Sequence, residues 1–154
     1  MDPVEVTFYA LHSIFAGLWA GSVVFMALAV IPVARDGDIG VEAFQSVATT
    51  LVRLSRASAL ILLLTGSHMA AVRYTSESLT GTTGGYLVIA MVVLWLVLIA
   101  TVEIGTSKLR SGTGRDKIRE PAREARPFYL VASVTAVLLL VIAGLLSAYN
   151  LGFL

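Results

Sequence analysis

The chain has no cysteine, which excludes thiolate metal sites, iron–sulfur clusters and redox disulfides. It also has little charge: 14% of its 154 residues are Asp, Glu, Lys or Arg, while 57% are hydrophobic. A soluble domain carries roughly 25% charged residues. A core of this size cannot hide so much apolar surface and still coat itself with so few charges. The natural solvent is a bilayer. A net charge of +1 leaves no electrostatic footprint for nucleic acid, and the one basic stretch has no interleaved aromatic residues. No nucleophile–base pattern, phosphate loop, zinc-protease motif or dinucleotide fingerprint occurs.

What the chain does have is four apolar runs, expected as helices over residues 6–31, 53–73, 86–107 and 127–149. Each approaches the ~20 residues that cross a hydrocarbon layer. The expected fold is therefore all-α, an integral membrane four-helix bundle forming one domain over residues 1–154. Pro32 should close the first run, and Pro127 should sit in the first turn of the fourth. Before the second run, Val41, Phe44, Val47, Ala48 and Leu51 recur at helical spacing. They suggest an amphipathic extension continuous with the second span, either lying near the membrane surface or simply continuing the helix with no surface role. The stretch YTSESLTGTTGG reads as a polar, flexible loop.

Orientation follows from the basic residues. Seven Lys or Arg lie between runs three and four, and Arg35 lies between runs one and two, with Arg53 and Arg56 at the same end in the first turn of run two. The other side has Arg73 alone. The expected topology puts the basic loops in the cytoplasm and both termini outside, in a multi-pass protein of the cell membrane. The first run has no basic leader, which argues against a cleaved signal peptide.

Ionisable and polar side chains inside apolar runs are costly there and mark candidate sites. The only two histidines, His12 and His68, lie in runs one and two. These runs travel in opposite directions, so both imidazoles fall roughly 9 Å below the outer edge, at ~1.5 Å per residue. Neutral imidazole ligates haem iron, copper and zinc, so a depth-matched pair points to one shared centre. The bland alternative is that each ring bonds a neighbouring helix. Thr65, one turn before His68, is a candidate to hold that ring in one tautomer. Met69 and Met91 lie at similar depth as candidate third ligands. Trp19, two turns below His12, is placed to floor a cofactor cavity. Arg73, with Tyr9, Tyr74, Tyr86 and Tyr149, sits where haem propionates or the membrane interface would be met. At the inner end Glu103 should pair with Arg53, Arg56 or Arg126.

The run LHSIFAGLWAGSVVFMALAVIP, with His12, Trp19, Gly21 and Pro32, resembles the first helix of the copper resistance protein D family. RLSRASALILLLTGSHMA, with its Arg-containing start and Thr-Gly pair, resembles the family's next helix. The opening is also similar to four-helix haem proteins linked to protoporphyrinogen oxidation. The first resemblance implies copper uptake or tolerance, and the second implies haem-dependent redox chemistry. Both are carried by His12, Trp19, Gly21 and His68. This chain is shorter than the longer multi-span members of the copper family, which suggests a homo-oligomer or a subunit of a larger membrane complex.

Three functions follow as expectations. The leading one is a b-type haem held by the two histidines for electron transfer or quinol chemistry, with a quinol or electron-transfer partner. Copper binding at the same histidines is the alternative. The third is a non-catalytic scaffold subunit. The long connection between runs one and two permits neighbouring or diagonal placement of their helices. Two helices at the usual ~8–10 Å separation suit a compact copper ion better than a porphyrin between the rings.

Overall fold

The computed structural model describes residues 2–113 and 118–153. Those residues form four long helices, α1 (Pro3–Asp36), α2 (Val41–Arg73), α4 (Thr83–Thr113) and α5 (Arg119–Asn150), with a short α3 (Ser76–Gly81) between α2 and α4. There is no strand among the described residues. All four long helices are long and apolar enough to cross a membrane. Their outward faces carry large apolar side chains such as Leu28, Leu64 and Val134, each at least 60% exposed. A water-soluble bundle would hide that stripe, whereas lipid solvates it.

Helix α1 packs beside α2 and α5, and α4 also packs beside α2 and α5, so α1 and α4 lie across the bundle from each other. The histidine-bearing helices are therefore neighbours. One end of the bundle carries the α1–α2 turn and the α4–α5 connection, and we call it the basic end. The other, the terminal end, carries both termini and α3. The middle of the basic connection, with Arg115, Asp116 and Lys117, lies outside the described residues.

The helices extend past the expected runs, and both prolines are passed rather than obeyed. Helix α1 continues through Pro32 because a π-turn over Met26–Val30 precedes it, with the Ile31 N–H donating to the Met26 carbonyl. The wider turn accommodates a residue that lacks an N–H and crowds the preceding carbonyls. α1 stops instead at Gly37, whose φ of 86° is left-handed and suits glycine. A Cβ there would also lie 2.5 Å from the Arg119 side chain. Pro127 stands inside α5, which begins at Arg119.

The expected surface extension before the second run is part of the core. Phe44, Ala48 and Leu51 of α2 are buried, with Phe44 fully enclosed, while Val47 faces outward. α1 reaches down to Ala34 and gives this face something to pack on. The polar loop is also more ordered than its composition suggests. Thr75 and Ser78 form a reciprocal capping box that starts α3.

Small residues set the packing of α5. Ala122, Ala125, Tyr129, Ala132 and Ala136 are fully buried on one stripe at alternating three- and four-residue spacing. Alanine lets neighbouring backbones approach closely, which drives association where lipid offers no hydrophobic difference. Burial is uneven along the bundle. In α1 no residue before Trp19 is buried, in α5 none follows Ala136, and in α4 none falls between Gly85 and Leu98. The interior is dense toward the basic end and thin toward the terminal end.

Candidate functional site

The α1–α2 interface brings the two histidines to one side of the bundle, each with its own partner. His12 Nδ1 lies 2.7 Å from Thr65 Oγ1. Thr65 Oγ1 also lies 2.7 Å from the Ile61 carbonyl, which can only accept. With the hydroxyl proton on that carbonyl, the Thr65 oxygen accepts from His12 Nδ1–H, and a neutral ring bonded in this way keeps its lone pair on Nε2, the atom a metal would take. Gly66 makes room for this arrangement, since a Cβ there would sit 3.2 Å from His12 Cε1.

This assignment corrects one expectation. Thr65 serves His12 across the interface, not His68 on its own helix. Antiparallel pairing is the reason: position 65 faces position 12, and position 68, nearly one turn on, faces position 8. His68 stacks on Phe8, with ring centroids 4.0 Å apart and planes inclined by 25°. It lines a crevice with Glu5, Phe8, Tyr9, Met69, Val72 and Arg73 that has room for about one water. Met69 thus shares a crevice with His68, while Met91 belongs to α4, across the bundle from α1. No group of three or more His, Asp or Glu suited to a metal occurs among the described residues.

Trp19 is buried in the core, where its indole N–H finds no acceptor. Trp95 on α4 has the same unmet donor, and so does the Ser58 hydroxyl on α2. Buried polar groups are ordinarily paired, so these three mark the bundle's middle as polar beyond what packing needs. Above them, at the terminal end, the Arg73 guanidinium lies 5.1 Å from the centre of the Tyr9 ring. Tyr74 and Tyr149 converge on Gly84, where a Cβ would meet either ring system at 2.7 Å. Burial, with Tyr149 and Tyr9 nearby, pushes the Tyr74 phenol up despite Arg73. Tyr86 stands apart and donates to the Thr80 carbonyl at 2.6 Å.

Near the basic end Glu103 takes Arg56 as its partner, not Arg53 or Arg126. Arg56 Nε and Nη2 donate to the two carboxylate oxygens at 2.7 and 2.9 Å. Beside this fork lies a pair that the sequence reading overlooked. Thr106 donates to the Val102 carbonyl, and the fully buried Tyr129 hydroxyl lies 2.9 Å from Thr106 Oγ1. Gly105 admits the Tyr129 ring, which would lie 2.9 Å from a Cβ at that position. The available signal was a glycine four residues before Leu109 on a core-facing stripe, opposite the single tyrosine in the alanine stripe of α5.

No protein-family model, curated protein or solved structure matches this chain.

Proposed function

We propose that the chain is a multi-pass protein of the cell membrane that holds a copper ion at the α1–α2 interface, with His12 as principal ligand. It resembles the copper resistance protein D family in its first two helices. The observation that carries this reading is the Ile61–Thr65–His12 relay. Ligating histidines characteristically donate their other ring N–H to a fixed acceptor, which orients the ring and raises its basicity. Packing alone gives a weaker account. An interhelical hydrogen bond in a membrane averages about 0.6 kcal/mol, which a serine or asparagine would supply as well.

Helix placement favours copper over the expected haem held between the two rings. α1 and α2 are neighbours, Phe8 occupies the face of His68, and Gly66 closes on the edge of His12. That packing supports a small ion over a porphyrin between those rings. His68 and the Met69 thioether line a crevice of the same interface, and together with His12 they would offer two nitrogens and a soft sulfur, a set suited to Cu(I). Holding fits better than conduction, because among the described residues the only soft side chain toward the basic end is Met26, sealed in the core. Copper bound here would supply one-electron chemistry, and Thr65 and Gly66 would orient the His12 ring.

A haem on His12 alone is the second reading, favoured by the thin packing of the terminal half and by Arg73 at its mouth. In that case the protein serves electron transfer or quinol chemistry. The basic-residue asymmetry supports a cytoplasmic basic end with both termini outside.

The deciding experiment is metal analysis and optical spectra of the purified protein and of His12→Ala and His68→Ala, each checked for folding. Stoichiometric copper lost in both variants is the expected result. A reducible Soret band lost only with His12 selects the second reading. Neither species in the parent protein leaves a scaffold subunit whose histidines bond helices.

A further inference from the structure

A second cavity lies away from the histidines. It opens between α2 and α4 at the basic end, has a volume of about 490 Å³, and is lined by Arg56, Glu103, Thr106, Ser107 and Arg110. Four of these five residues are spaced along one stripe of α4, and Arg56 faces them from α2.

The side chains are unequally engaged. Arg56 gives Glu103 its Nε and one face of Nη2, and its Nη1 protons point elsewhere. Thr106 is occupied by the Val102 carbonyl and Tyr129. Ser107 is exposed, with a hydroxyl able to donate. Arg110 acts on Glu103 through its charge without bonding to it. One carboxylate therefore balances two guanidinium groups, and the cavity keeps a net charge of +1. A guanidinium presents its donors as a planar fork that matches phosphate oxygens, and basic pockets between helices at a membrane surface suit lipid headgroups.

We propose that this cavity is a phosphate-binding site, with Arg110 and the remaining Arg56 donors on the phosphate oxygens and Ser107 adding a hydroxyl. An anionic phospholipid entering between α2 and α4 would present such a group, and so would free phosphate. The inference is independent of the metal reading, because none of its residues touches the histidine interface.

The test uses the full purified chain in detergent, titrated with phosphatidylglycerol, phosphatidylcholine or inorganic phosphate and followed by native mass spectrometry. Phosphatidylglycerol should bind at one per chain and outlast phosphatidylcholine. Arg110→Gln should weaken its binding about five-fold, as expected for one cationic contact near a membrane surface. Arg123→Gln, an exposed change of equal charge on α5, should not. Displacement by inorganic phosphate would show that the site takes the free ion. Phosphatidylglycerol binding that resists millimolar phosphate would identify the lipid as the source. Should Arg110→Gln fold poorly, Ser107→Asp, which puts a carboxylate in the cavity, must abolish binding. Equal retention of both lipids without phosphate binding, or no sensitivity to either substitution, overturns the proposal.

Discussion

His12 and Glu103 are ionisable side chains at the depth of apolar helices, and each is met by a partner on α2. The partners differ in kind. Thr65 orients the His12 ring through Nδ1, so Thr65→Val should act on ligand binding more than on folding. Its stability cost should be near the ~0.6 kcal/mol typical of membrane hydrogen bonds. Copper affinity should fall about 10- to 100-fold, as when the outer partner of a metal ligand is lost. Copper titration and thermal unfolding on the same sample would separate the two. The Arg56–Glu103 fork is more exposed, at 64% and 40% of the two side chains, so water and headgroups screen it. Glu103→Gln should therefore lower the unfolding midpoint in detergent only slightly. Metal content should stay unchanged, and a loss of turnover at full stability would point to a proton path through Glu103 instead.

Among the elements, α5 depends most on what its side chains lack. The fully buried alanines 125 and 132 leave no volume for a larger group. Ala132→Leu should destabilise the bundle by about 1–3 kcal/mol through overpacking. Val134→Leu, on the outward face, should leave the unfolding midpoint in detergent where it is. Element existence was legible in the sequence because a run of apolar residues has no other stable fate in lipid. The ends were less so. Pro32 and Pro127 read as boundaries because a proline lacks a donor and crowds its neighbours, yet a π-turn ahead of Pro32 absorbs that conflict. The Val41–Leu51 face read as a surface helix because nothing in its pattern says that α1 extends far enough to cover it.

For the molecule as a whole, the helix ring 1–2–4–5 explains which candidate residues meet and which lie apart. Shared depth of His12 and His68 follows from counting residues, but depth does not give azimuth. Thr65 was assigned to the wrong histidine because a sequence lists neighbours along one helix, while the interface pairs residues across two. Tyr129 went unremarked because its significance lies in Gly105 and Thr106 on another helix. Topology remains testable in this cysteine-free chain. Ser46→Cys near the basic end and Ser76→Cys in α3 should label oppositely with an impermeant thiol reagent. Labelling at 76 only, from outside intact cells, is expected, and labelling at 46 only would invert the orientation.

The gradient in burial, dense at the basic end and thin at the terminal end, has a consequence in time. Two helices clamped at one end can part at the other without the clamp letting go. Under the proposed function, exchange of a metal at His12 would then be a local breathing event, separate from the rate at which the bundle comes apart. Tyr129→Phe, a change within the clamp, should hasten unfolding while leaving the rate of metal capture by an external chelator untouched. If both rates rose together, occupancy would be governed by the lifetime of the whole fold.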